Sequence, residues 1–181
     1  MSPVESIAMV TRRLKRLQVP HAFLGGAVVS LLVDDAELHQ VRPTQDVDAI
    51  VQVITQAEYA LLEERLRKDG FVNDMSEGAP ICRYIVERCK VDVMPFSAAA
   101  IGMRSRWFQE ALSSAAPCSV GPGESAPIIR PAFFLATKME AFKDRGKGDY
   151  QASHDLEDFI AVIDGRETLL HEIAESPRAL G

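Results

Sequence analysis

The sequence is poor in what builds a covalent or metal-clipped scaffold. Its three cysteines, Cys82, Cys89 and Cys118, are an odd number and cannot all pair. No CxxC occurs, which argues against a zinc clip and leaves the thiols as small apolar residues in a reducing, cytoplasmic setting. No apolar run is long enough to cross a membrane, so no membrane partner is expected. Met1 to Pro20 is charged and amphipathic, unlike the continuous apolar stretch of a secretory signal. There is no internal repeat and no low-complexity tract. Positive charge is also scarce: a net charge of −6 argues against a protein that coats nucleic acid indiscriminately. Two local basic groups remain, Arg12, Arg13, Lys15 and Arg16, then Lys138, Lys143, Arg145 and Lys147. The first group offers phosphate contacts to a nucleic acid and reads equally well as a solvated helix face.

What is present is an ordinary globular chain. Its 181 residues are 47% hydrophobic and 25% charged, enough to bury a core without disulfides. Composition shifts near Ser125, where strand-like sequence gives way to helices. The reading is therefore an α/β (α+β) core over residues 1–125 and a helical C-terminal part over 126–181, packed as one unit or two.

Apolar spacing predicts a first helix over Val4–Leu17, started by Ser2 and Pro3 and ended by Pro20. His21–Leu24 reads as a short strand, Gly26–Val33 as a small buried helix, and Asp34–Arg42 as loop. Gln45–Val53 reads as a central strand. Thr55 caps a helix with Glu58 at the capping-box position and Gly70 at its stop. Phe71 and Val72 start a strand. Pro80–Val86 and Lys90–Met94 read as antiparallel strands joined at Glu87-Arg88-Cys89. A helix is expected over Arg104–Leu112 and mostly loop over Ser113–Pro127. Pro131 opens a helix to about Asp144, broken by Gly146 and Gly148. Ser153 caps the next helix, and Glu167–Ala174 forms the last.

Three constellations carry chemistry. In the first, Gly25 and Gly26 precede Asp46-Val47-Asp48. A strand has a side-chain period of two, so the two carboxylates point the same way. Aligned carboxylates suit a divalent cation with oxygen ligands, and glycines let backbone N–H groups approach a bulky anion. In the second, Val91-Asp92-Val93 holds one carboxylate in an apolar strand. It needs either an arginine partner, with Arg83 or Arg88 at hand, or a role as third ligand. In the third, Lys138, Ala141, Phe142 and Arg145 share a helix face, and Asp155 and Asp158 share the face of the next. Salt bridges between the helices explain this as well as phosphate binding by Lys138 and Arg145 does. His21, His39, His154 and His171, and the core-like Trp107 and Phe108, suggest no catalytic role.

The order of Gly25-Gly26, Arg42-Pro43-Thr44-Gln45-Asp46-Val47-Asp48, Val91-Asp92-Val93, Lys138 … Arg145 and Asp155 … Asp158 resembles the nucleotidyltransferase superfamily with the polymerase-beta-type fold. More narrowly it is similar to the AbiEii-type nucleotidyltransferases, several of which are toxins of toxin–antitoxin pairs. The resemblance spans roughly residues 20–165. It implies a mixed central sheet flanked by helices, with a helical C-terminal part. It implies transfer of an NMP from an NTP to an acceptor hydroxyl with release of pyrophosphate, and Mg²⁺ or Mn²⁺ as cofactor. By that resemblance Asp46, Asp48 and Asp92 bind metal, and Asp92 also helps activate the acceptor. Lys138 and Asp155 complete the catalytic set. Gly25, Gly26, Ser30, Thr44, Lys138 and Arg145 hold the nucleotide. The implied partners are a nucleoside triphosphate, an acceptor and a cognate antitoxin. The acceptor is open between RNA or tRNA, protein and a small hydroxylated molecule.

Two departures stand out. Ala27 follows the diglycine where many members of the superfamily have serine, with Ser30 a helical turn on. Few residues follow the last motif, so an extended acceptor-binding domain is not expected. Both motivate the alternative of a non-catalytic member that binds a nucleotide or a partner. A glycosyltransferase or phosphatase using the DxD ranks third, because the further Thr or Ser motifs of a phosphatase are missing.

Overall fold

The computed structural model describes residues 1–37, 42, 44–102, 105–145 and 153–176. Helix α1 (Pro3–Arg16) starts where a capping box starts it: Ser2 Oγ accepts from the Glu5 N–H, and the Glu5 carboxylate accepts from the Ser2 N–H. Its buried face carries Ile7, Val10 and Leu14. Strand β1 (His21–Leu24) is buried throughout. A single 3₁₀ turn (Gly26–Val28) then leads into α2 (Val29–Leu32). Strand β2 (Asp46–Val51) is followed by α3 (Gln56–Lys68), capped by Thr55 and Glu58 in a second capping box. Strands β3 (Val72–Asn73), β4 (Arg83–Val86) and β5 (Cys89–Pro95) come next, then the short helices α4 (Ala98–Ile101) and α5 (Phe108–Ser113). Strands β6 (Ala116–Gly121) and β7 (Glu124–Ile128) form a hairpin. Helices α6 (Pro131–Arg145), α7 (His154–Gly165) and α8 (Leu169–Ala174) finish the described chain.

The seven strands make one mixed sheet in the order β3-β4-β5-β2-β1-β7-β6, flanked by helices. The middle of the sheet is apolar. Phe23, Ile50, Val91 and Val93 are fully buried there, and Phe71, Tyr84, Phe133 and Phe134 extend the same core. No helix among the described residues is long and apolar enough to cross a membrane.

The sheet places one row of side chains across four strands. Leu24 on β1 pairs with Asp48 on β2, Asp48 pairs with Asp92 on the parallel neighbour β5, and Asp92 pairs with Arg83 on the antiparallel β4. Register partners point to the same face, so the charges of three strands meet on one side of the sheet.

Several expectations change. The stretch expected mostly as loop, with one short strand at most, over Ser113–Pro127 holds the β6–β7 hairpin, in which Pro117 stands opposite Pro127. β6 is an edge strand, where proline is tolerated because the missing N–H faces away from a neighbour. β7 runs through residue 125, so the sheet continues past the point where the composition shifts. The helix expected from Arg104 starts at Phe108, and α4 precedes it. The β4–β5 turn is two residues, not three. Glu87 and Arg88 take it with positive φ of 48° and 68°, the backbone that tight hairpins require. His39, Pro43, Arg104, Gly146, Lys147 and Gly148 lie outside the described residues, as does the side chain of Arg145.

The basic residues of α1 are spoken for. Arg12 pairs with Glu124 at 2.6 Å, and Arg16 pairs with Asp69 at 2.7 Å. Arg13 joins Asp69 and Glu87, and Lys15 donates to the Ser125 carbonyl. The helix thus ties β7, the end of α3 and the β4–β5 turn together. Arg12, Lys15 and Arg16 stay exposed, so the outer face of the helix is a solvated one whose charges are paired at the surface.

Candidate active site

A cleft of about 520 Å³ opens over that row of charges. Gly25, Asp48, Asp92 and Arg83 line its sheet side, and Lys138 with Asp155 line the side made by α6 and α7. Five sequence-derived site residues therefore meet at one cavity: Gly25, Asp48, Asp92, Lys138 and Asp155. Asp46 stands at its margin, linked to it through Arg83 at 3.5 Å. Gly26, Ser30 and Thr44 are not among the described residues lining the cleft. Thr44 Oγ1 instead accepts from the Asp46 N–H at 3.4 Å, fixing the start of β2.

The two glycines have separate reasons. Gly25 has φ +74°, a left-handed backbone that side chains rarely take. A Cβ there would overlap the Asp48 carboxylate, with Asp48 Cγ only 2.7 Å away. The turn after β1 therefore lies directly against the Asp48 side chain. At Gly26 a Cβ would meet Arg42 Nη2 and Asp158 Oδ2, each at 3.3 Å. Gly26 makes room for an ion pair outside the cleft lining.

Electrostatics set the character of the sheet side. Burial first, and then the neighbouring Asp92, push the Asp48 carboxyl up to about 7. Asp46 adds to that push, while Lys138 and Arg83 oppose it. Asp92 is held by Arg83 through two parallel hydrogen bonds, Nε to Oδ1 at 2.7 Å and Nη2 to Oδ2 at 2.8 Å. That bond raises the Arg83 guanidinium further above its ordinary range.

The donor chemistry fits a hard divalent cation in part. Asp46 and Asp48 are carboxylates on one strand face, and a cation would relieve both the burial of Asp48 and its repulsion by Asp92 and Asp46. Asp92, however, gives both oxygens to Arg83. Among the described residues no three His, Cys, Asp or Glu side chains form a group that could hold a metal. Asp46 and Asp48 fit as they stand; Asp92 fits once Arg83 releases an oxygen.

On the opposite side, Lys138 Nζ donates to Asp158 Oδ2 at 2.6 Å and to Asp155 Oδ1 at 3.2 Å. Phe134 lies under it, 5.8 Å from Nζ to the ring centroid. Glu140, also lining the cleft, accepts from Ser105 Oγ and the Arg106 N–H and so pins the chain before α5 onto α6.

Sequence reasoning missed Arg83 as a cleft residue and left Glu140 and Asp144 out of the site. For Arg83 a signal existed. A two-residue turn at Glu87-Arg88 pairs Val86 with Cys89 and, counting outward, Arg83 with Asp92. His21 is buried, with Nδ1 2.7 Å from the Val19 carbonyl, and packs edge-on to Phe23.

No protein-family model matches the chain, and no curated protein matches it by sequence. Solved structures do match in shape. An antigenic nucleotidyltransferase-like protein from Paracoccidioides brasiliensis superposes with a TM-score of 0.60 at 21% identity, covering 90% of this chain and 76% of that one. The antibiotic-resistance factor ANT(2'')-Ia in solution gives 0.57 at 13% identity, covering 95% of this chain and 85% of that one. A crystal structure of ANT(2'')-Ia with adenylyl-2''-tobramycin gives 0.57 at 12% identity, covering 94% and 92%. The mixed seven-stranded sheet with its flanking helices is the fold of these nucleotidyltransferase-like proteins.

Proposed function

We propose that the protein is a nucleotidyltransferase that moves an NMP from an NTP to an acceptor hydroxyl and releases pyrophosphate. The observation that supports this most is the row in which Asp48 and Asp92 stand side by side against the Gly25 turn, with Lys138 across the cleft. Asp46 and Asp48 would hold Mg²⁺ or Mn²⁺, joined by Asp92 when Arg83 yields. Such ions, when bound, neutralise charge on the attacking and leaving oxygens.

The chain's own groups have defined tasks in this reading. Lys138 presents a point charge to the triphosphate. Gly25 brings backbone close to the phosphates. Asp92 orients the acceptor hydroxyl, and Asp155 faces the cleft beside Lys138. The AbiEii-type resemblance favours a cytoplasmic toxin restrained by a cognate antitoxin. The tobramycin adduct carried by one structural neighbour favours a small hydroxylated acceptor instead. An RNA acceptor loses one argument, because the basic residues of α1 are already paired.

A second reading is a nucleotide-binding member of the fold that transfers nothing. The Arg83–Asp92 pair favours it, since it occupies the carboxylate that transfer chemistry needs.

The test is incubation with each α-labelled NTP, Mg²⁺ or Mn²⁺, and separate pools of RNA, protein and hydroxylated small molecules, with Asp48→Asn as control. Label on one acceptor, absent in the control, is the expected result. Tight NTP binding with no label on any acceptor would move the assignment to the second reading.

A further inference from the structure

The geometry points to Asp158 as the positioning residue for Lys138, with Arg42 as its second cation. This rests on the nucleotide-binding reading of Lys138.

The two carboxylates on Lys138 are not equivalent. Asp158 is the nearer, at 2.6 Å against 3.2 Å for Asp155. Its side chain is 4% exposed, whereas that of Asp155 is 16% exposed and lines the cleft. A carboxylate buried that deeply persists only when it is paired. Asp158 Oδ2 meets this need twice, with Lys138 on α6 and with Arg42 Nη2 at 3.9 Å. Arg42 also approaches Glu157 at 3.7 Å and lies just ahead of the Thr44–Asp48 segment. Gly26 leaves the space in which Arg42 and Asp158 meet. One buried carboxylate therefore joins the turn after β1, the segment that leads into β2, helix α6 and helix α7.

The consequence falls on the lysine. An ammonium on a four-carbon stem has three donors and many rotamers. Asp158 takes one donor from the buried side and Asp155 another, and Phe134 lies beneath Nζ. Lys138 is thus held at the cleft before a nucleotide arrives, so less side-chain freedom is lost on binding. Asp158 does this without lining the cleft, so it acts through Lys138.

Equilibrium binding of each NTP with Mg²⁺ tests this, alongside thermal melting. The proteins compared are wild type, Asp158→Asn, Lys138→Ala and the double variant. Asp158→Asn is expected to weaken nucleotide binding about tenfold. The double variant is expected to bind no worse than Lys138→Ala alone, because both substitutions remove the same interaction. A purely structural role would instead lower the melting temperature and make the two losses multiply. Multiplying losses, or wild-type affinity in Asp158→Asn, would overturn the inference while leaving the role of Lys138 intact. Wild-type affinity in Lys138→Ala would overturn the nucleotide-binding reading itself. If Asp158→Asn does not fold, Arg42→Gln carries the test. A severalfold loss of affinity that disappears in the Lys138→Ala background supports the clamp, and a loss that persists there, or no loss, refutes it.

Discussion

Arg83 stands directly opposite Asp92 in the antiparallel β4–β5 pair and closes on its carboxylate with hydrogen bonds of 2.7 and 2.8 Å. The same guanidinium reaches Asp46 at 3.5 Å. It therefore bridges β5 and β2, the two strands that carry the carboxylate group, on the face where Asp46, Asp48 and Asp92 all point. Three carboxylates on neighbouring strand positions repel one another, and Arg83 is the cation on the sheet side that offsets this. A metal arriving at Asp46 and Asp48 meets a site already partly neutralised by protein.

Replacing Arg83 with methionine separates the two roles of that charge. Without metal, Asp92 is left buried and unpaired. The cost is on the order of 2–3 kcal/mol, at the low end for buried pairs because Arg83 keeps a fifth of its side-chain surface exposed. With Mn²⁺ present, the freed Asp92 oxygens become available and the lost stability returns. Urea unfolding with and without Mn²⁺ reads both. Equal destabilisation in the two conditions would mean that Arg83 and the metal do not share ligands.

The diglycine predicts an asymmetry. Gly25→Ala forces both a left-handed φ of +74° on alanine and a collision with the Asp48 carboxylate. Destabilisation of about 1–3 kcal/mol is expected, with Asp48 pushed out of place. Gly26→Ala imposes no left-handed backbone and needs Arg42 Nη2 and the buried Asp158 Oδ2, each at 3.3 Å, to give by only a few tenths of an ångström, so it costs less, about 1 kcal/mol. Melting both variants checks the order. A Gly26 variant as damaged as the Gly25 variant would contradict it.

Much of the frame was legible because local chemistry marks it. The Ser2–Glu5 and Thr55–Glu58 boxes start helices where polar side chains satisfy their free N–H groups. Asp46-Val47-Asp48 followed by an apolar run favours the mouth of a buried strand over a solvated turn, and β2 is that strand. The β6–β7 hairpin was illegible, since Pro117, Gly121 and Pro127 are loop residues by every local rule and become strand only by the pairing of β6 with β7 and of β7 with β1. The same limit applied to the site. Asp155 and Asp158 share a helix face in sequence, and which of them is buried depends on the rotation of α7 against α6. That rotation is a matter of tertiary packing.

The basic face of α1 gives a further expectation. Arg12 is exposed and its partner Glu124 half-buried at the surface, so Arg12→Gln should change stability by less than about 1 kcal/mol. If RNA is the acceptor, its affinity should not fall in Arg12→Gln or Lys15→Gln, because these groups already serve Glu124 and the Ser125 carbonyl. Filter binding across a salt series measures it. A loss of affinity with a shallower salt dependence would show that α1 does contact phosphate.

Asp48 makes stability depend on pH in an unusual direction. Its carboxyl is pushed up to about 7 in the folded protein, from an ordinary value of 3.8. Between those two values the folded chain keeps a proton that the unfolded chain has lost. The folded state then binds more protons, so this group's contribution is fully present below about pH 4 and is lost as the pH rises to about 7. The slope approaches 1.4 kcal/mol per pH unit at most, because roughly one proton is involved. Other carboxylates titrate in the same range, so the comparison must be with Asp48→Asn, which never acquires the charge. In metal-free protein that variant should be more stable than wild type at pH 8, by on the order of 2 kcal/mol, and close to it at pH 4.5. A divalent cation should erase the advantage, since a bound cation supplies the charge that Asp46, Asp48 and Asp92 lack. Urea unfolding at the two pH values, with and without Mg²⁺, decides the matter. A variant no more stable than wild type at pH 8 would mean that Lys138 and Arg83 outweigh burial and keep Asp48 ionised without a metal.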